Sequence, residues 1–169
     1  MRPAIEVHHL AKSYGDFHAV RDISFSVEPG EVFCLLGPNG AGKTTTTEIL
    51  EGYRTRSAGE VRVLGFDPGR AERRFRSRIG IVLQECGVQA DLTVAEVLAM
   101  YGAYYPRPLA ADDVIRLVEL DAKAGDRVGD LSGGQRRRLD VGLALIGDPD
   151  LIFLDEPTTG FDPSARRHS

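Results

Sequence analysis

At 169 residues and 42% hydrophobic content, the chain is long enough for one domain with a core of its own. Its 21 Lys and Arg against 25 Asp and Glu leave a net charge of −4, which excludes a nonspecific electrostatic grip on nucleic acid or anionic lipid. No run approaches the ~20 apolar residues of a membrane-spanning helix, and the first six residues lack the apolar core of a signal peptide. The two cysteines, Cys34 and Cys86, have neither metal-ligand spacing nor the density of a secreted scaffold, so a cytoplasmic chain with free thiols is expected.

Residues 4–9 and 18–27 read as strands, the second ending in the alternation Ile23, Phe25, Val27 against Ser24 and Ser26. Between them Tyr14 lies on a polar turn, an aromatic on which a flat base could stack. His8, His9 and His18 have no convergent carboxylate or cysteine visible in sequence and read as strand-face residues. A turn at 28–31 leads into the apolar run 32–36, a predicted strand, followed by Gly37-Pro38-Asn39-Gly40-Ala41-Gly42-Lys43-Thr44 and a helical stretch at 45–50.

Strand, loop and helix are the context in which G-x-x-x-x-G-K-[ST] acquires meaning. The glycines let successive N–H groups converge on an anion, backed by the positive end of the helix dipole. Lys43 would reach the β- and γ-phosphates, and the Thr44 hydroxyl would ligate Mg²⁺. Nucleotide binding is the expectation.

Further on, residues 60–64 suggest a short strand around Val61 and Val63, broken at Gly65 to Gly69. The five arginines between Arg70 and Arg78 read as a solvated helix face. Residues 79–83 form a strand that delivers Gln84 at its carboxyl end, where ligand-facing residues of open α/β sheets sit. Residues 90–130 change character into a helical insert, with a capping box at Thr93 and Glu96 and a second helix capped by Asp112; its tyrosines read as packing residues.

Ser132-Gly133-Gly134-Gln135 opens a further helix with the stripe Leu139, Gly142, Leu143, Ile146. Those first residues serve either as a plain N-cap or as an anion site of N–H groups and a hydroxyl. The apolar strand at 151–154 ends in Asp155 and Glu156, suited respectively to holding Mg²⁺ and to orienting or deprotonating an attacking water.

In this order the stretches GPNGAGKT, Gln84, LSGGQ, LIFLDE and Thr159-Gly160-Phe161-Asp162 resemble the nucleotide-binding subunit of ATP-binding cassette (ABC) transporters, with Phe161 where leucine is usual. The fold implied is an α/β P-loop NTPase core with an antiparallel β layer and a helical insert. The resemblance makes Tyr14 the adenine-stacking aromatic, with Val20 beside the base. Gly37, Pro38, Asn39, Gly40, Ala41, Gly42, Lys43, Thr44 and Thr45 would bind the phosphates of ATP. Thr44, Gln84 and Asp155 would hold Mg²⁺, and Glu156 would be the catalytic base.

Ser132, Gly133, Gly134 and Gln135 would contact the nucleotide of a second cassette, with Asp162 in the D-loop beside it. A head-to-tail homodimer is therefore implied. ATP hydrolysis would drive a separate transmembrane permease docked at Gln84 and the insert, with the cassette peripheral on the inner face of the membrane. No nucleic-acid partner is expected. Residues 51–54 and 160–163 look most like cassettes of bacterial drug exporters.

The family continues past the D-loop to a strand bearing a switch histidine, placed between the strands at 32–36 and 151–154, and His168 is no substitute for it. A truncated cassette is therefore expected, with the carboxyl-terminal part of the core missing. Two alternatives stay open: a remnant that binds ATP or a partner without turnover, and a soluble ABC protein of translation or DNA repair.

Overall fold

The computed structural model describes residues 2–70, 72–82 and 87–154. Strands β1 (Ile5–Tyr14) and β2 (Phe17–Val27) form an antiparallel hairpin, and β3 (Ala58–Val63) pairs with the other edge of β1, giving the order β2-β1-β3. Pairing of β1 runs on to Tyr14↔Phe17, so Tyr14 ends a strand rather than sitting on a turn. The hairpin closes through Gly15, at φ 57, and Asp16. Polar Lys12 and Ser13 do not stop a strand whose neighbour still offers hydrogen bonds.

Paired bulges decide which side chains of the hairpin face inward. Ile5 and Val7 are buried at odd positions but Leu10 at an even one; on β2, Val20 is buried at an even position and Val27 at an odd one, with Ile23 and Phe25 half-buried. A period of two cannot switch parity without an extra residue, and the register slips where His9 and Asp22 take left-handed backbone, φ 50 and 48. There His9 Nδ1 lies 2.7 Å from Asp22 Oδ1 on the exposed face. The bulge thus supplies the carboxylate that the sequence did not show, while His18 meets the Ser13 hydroxyl at 2.8 Å.

Behind this sheet lie α1 (Lys43–Leu50), the short α2 (Arg73–Arg76) and a two-stranded parallel sheet of β4 (Ile79–Val82) and β5 (Leu151–Leu154). They share a core in which Val7, Leu10, Ile49, Val61, Val63 and Phe75 are almost fully buried. Arg70 to Arg78 contribute far less helix than their charge pattern suggests: four residues, anchored by Phe75 at 0% exposure.

Residues 32–36, an expected strand, are not one. Among the described residues they make no backbone–backbone hydrogen bond, and Val32 and Leu36 are 91% and 87% exposed. Apolar sequence alone does not make a strand; a paired neighbour does. Between this segment and β5 runs a groove of about 1170 Å³, also lined by Phe25, Val27, Leu50 and Leu64. The resemblance places a further strand in this interval. Cys34 is exposed here as a free thiol, and Cys86 lies outside the described residues.

The remaining helices build a second core. Helices α3 (Val94–Gly102), α4 (Ala111–Leu117) and α5 (Gly133–Leu145) bury Val94, Leu98, Val114, Val118, Leu139, Leu143 and Ile146 together. The Thr93–Glu96 capping box forms as the sequence implied. Asp112, however, does not cap α4: Ala110 is the extended N-cap residue and the helix begins at Ala111, so Asp112 and Asp113 fall in the first turn, where carboxylates favour the helix dipole.

One ion pair fastens the turn after β3. The Arg56 guanidinium donates to both Asp67 oxygens, at 2.8 and 2.9 Å, and to Gly59 O at 2.9 Å. These bonds, with the Gly69 N–H, hold the Asp67 carboxyl down at about 2. A carboxyl depressed from an ordinary 3.8 stabilises the fold above that value and loses its contribution as pH falls toward 2. Melting curves of wild type and Asp67→Asn are therefore expected to differ at pH 6, to approach each other below about pH 4 and to converge only near and below about pH 2.

Candidate nucleotide-binding site

The phosphate loop leaves the unpaired segment 32–36 and turns into α1. Ala41 N–H donates to Pro38 O at 3.2 Å, and Gly40 and Gly42 stand at φ 81 and 82, so the loop is a tight left-handed turn. Gly42 is wedged against β2: a Cβ there would lie 2.3 Å from Ala19 O and 3.0 Å from Val20 Cγ2. Val20, 4% exposed, thus supports the loop's last glycine.

Residues Gly37, Pro38, Asn39, Gly40 and Ala41 are exposed, as is Thr44, while Lys43 and Thr45 are half-buried. The Lys43 ammonium donates to Gly37 O at 2.8 Å and Pro38 O at 2.9 Å. Among the described residues no carboxylate pairs with it. Loop N–H groups at a helix start, beside a cation bound only by carbonyls, are a donor set suited to polyphosphate. Thr44 at the head of α1 fits a hydroxyl ligand of Mg²⁺.

Tyr14 stands at the end of β1, 41% exposed. Two cations lie over its ring, Lys12 Nζ at 4.9 Å and Arg54 Cζ at 5.6 Å from the centroid. The sequence reading missed both. Lys12 became visible only once the strand was seen to include Tyr14, which puts residues two apart on one face; Arg54 lies in a basic turn with no periodic signal.

At the start of α5, Ser132 Oγ accepts from Gln135 N–H and Gln135 Oε1 accepts from Ser132 N–H, at 3.3 and 2.8 Å. The N-cap alternative is therefore realised. The cap nevertheless leaves Ser132, Gly133 and Gly134 exposed, with nothing within 4 Å of a Cβ placed on either glycine. Among the described residues nothing requires glycine there. The stripe Leu139, Gly142, Leu143, Ile146 is buried as expected. Gln84, Asp155, Glu156, Asp162 and the D-loop around it, and His168 lie outside the described residues.

Comparison with known proteins agrees with this geometry. Residues 20–159 match the family described as ABC transporter. The "Nod factor export ATP-binding protein I" of Rhizobium meliloti (strain 1021) is 46% identical over 96% of this chain, and its namesake of Paraburkholderia xenovorans (strain LB400) is 45% identical over 96%. The chain spans 50% and 55% of the length of these two relatives. Among solved structures, cbiO1 from Clostridium perfringens, titled as part of the ABC transporter complex cbiONQ, superposes with a TM-score of 0.84 at 26% identity, covering 97% of this chain and 69% of that one. A nucleotide-free ATP-binding cassette from an ABC transporter gives 0.80 at 25% identity, covering 96% and 72%. With a phosphate loop at the head of α1, a capped Ser-Gly-Gly at the head of α5 and a family match across most of its length, this chain belongs to the ATP-binding cassettes of the ABC transporter family.

Proposed function

We propose that the chain binds and hydrolyses MgATP and drives export through a separate membrane permease. The observation that carries this reading is the Lys43 ammonium, held by two carbonyls of its own loop and by no described carboxylate. Such a cation can exchange the carbonyls for the β- and γ-phosphates with little desolvation cost. The loop N–H groups would hold the phosphate oxygens and Tyr14 would stack on the base. Mg²⁺, held by Thr44, Gln84 and Asp155, would supply charge neutralisation between the β- and γ-oxygens. Glu156 would orient and deprotonate the attacking water.

The bare glycines at Gly133 and Gly134 favour a second nucleotide-bearing copy as the body that approaches them, giving a head-to-tail homodimer. Exposed Met100, Tyr104 and Leu117 on the helical part, at 37%, 74% and 63%, favour a docking face for the permease there. The relatives' names support export, and a peripheral place on the inner face of the membrane follows from the same reading.

A second reading, binding without turnover, is favoured by the segment 32–36, to which no described residue pairs as a strand behind the loop. One experiment separates the two. If the chain is a hydrolase, steady-state phosphate release is expected to fall at least about 100-fold in Glu156→Gln, with ATP affinity retained. Binding that depends on Lys43 but no release in either protein would establish the second reading.

A further inference from the structure

The base platform and the phosphate loop are joined through one arginine. Arg54 lies over the Tyr14 ring on one side of the junction, and its Nε donates to Glu48 Oε2 at 2.5 Å on the other. Glu48 belongs to α1, the helix that begins at Lys43. The backbone repeats the connection, since Tyr53 N–H and Arg54 N–H both donate to Glu48 O, at 2.9 and 3.1 Å. The turn that carries Arg54 is also stapled to the end of β1: Ser57 N–H donates to Ala11 O at 2.9 Å, and Ser13 N–H donates to Ser57 Oγ at 3.0 Å.

We infer that Arg54 is a positioning residue for nucleotide binding, holding the Tyr14 ring at a set distance and tilt from the phosphate loop through its bond to Glu48. The inference rests on the proposed role of Tyr14 as the base platform. A planar guanidinium suits the task because it stacks on an aromatic face while its edge donates to a carboxylate, which an ammonium cannot do in one geometry. Lys12, by contrast, reaches the ring as a point charge from its own strand. Arg54 is tethered to Glu48 whereas no described ion pair holds Lys12, so an incoming base would displace Lys12 first.

The roles separate in a binding experiment on the 169-residue chain with two probes, ATP and inorganic tripolyphosphate, which shares the phosphates and lacks the base. Arg54→Met keeps the aliphatic stem and removes the fork. It is expected to weaken ATP binding about 2- to 30-fold, the span of a cation–π contact, and to leave tripolyphosphate binding unchanged. In a Tyr14→Ala background the same substitution should change ATP binding by less than about twofold. Arg54→Lys should recover part of the loss, and Glu48→Gln should reproduce part of it.

A parallel loss of ATP and tripolyphosphate binding in Arg54→Met would show that the arginine only braces α1, and would overturn the inference. Unchanged ATP binding, or an undiminished effect without Tyr14, would overturn it equally. Failure of the underlying reading looks different: wild-type chain would bind tripolyphosphate and ATP with the same affinity, and Tyr14→Ala would change neither.

Discussion

Gly42→Ala is expected to lower ATP affinity by about 100-fold or more, whereas Gly40→Ala, at nearly the same φ, is expected to cost about tenfold or less. Both residues stand at φ 81 to 82, so both substitutions incur the left-handed strain of an L side chain, of order 1 kcal/mol. Their surroundings differ. Among the described residues a Cβ on Gly40 meets nothing within 4 Å, whereas a Cβ on Gly42 comes within 2.3 Å of Ala19 O, a backbone atom of β2. Ala19 sits at a register shift between His18 and Val20, whose pairing with Ser13 and Lys12 fixes the backbone on both sides, so the loop must lift off β2 and its N–H groups cease to converge. Titration of each variant with ATP checks the ratio. Equal losses at both positions would mean that the wedge against Ala19 does not shape the loop.

Phe75→Ala is expected to destabilise the chain by about 3–5 kcal/mol, the usual cost of emptying an aromatic site in a core. Phe75 is 0% exposed and meets the Phe66 ring at 6.2 Å, and it is the buried residue of a helix only four residues long. A single turn of helix has no stability of its own. The ring holds α2 in place, and without it the segment between β3 and β4 loses its hold on the core. Against a total of roughly 5–15 kcal/mol, such a loss takes the protein to the edge of unfolding. Denaturant titration should show the midpoint falling by about a fifth or more, while Arg74→Ala beside it, exposed, changes the midpoint little.

Local chemistry in the sequence carried the described part of the candidate site. The loop from Gly37 to Thr44, the Ser132 cap and the buried stripe of α5 each depend on residues a few positions apart, and spacing displays such relations directly. What remained hidden depends on partners distant in the chain. Residues 32–36 have the composition of a strand, yet strand formation is settled by a neighbour, and the described residues provide none. The bulge at His9 and Asp22 arises from two strands slipping together, a property of the pair that neither segment records alone. Arg54 was illegible for the same reason, since its meaning comes from Tyr14, forty residues earlier. Where a helix starts is the intermediate case: Asp112 had the chemistry of a cap, but the helix had already begun one residue before it, at Ala111.

The groove beside β5 has a consequence for how this chain behaves in solution. Two extended stretches, 32–36 and 151–154, face each other with apolar side chains exposed, including Leu36, Ile152 and Leu154. Among the described residues β5 pairs only with β4 and nothing pairs with 32–36, and open strand edges template the addition of an extended peptide. Where that slot stays open, self-association should rise with protein concentration, so the monomer's lifetime in a concentrated sample would depend on how quickly the slot is filled.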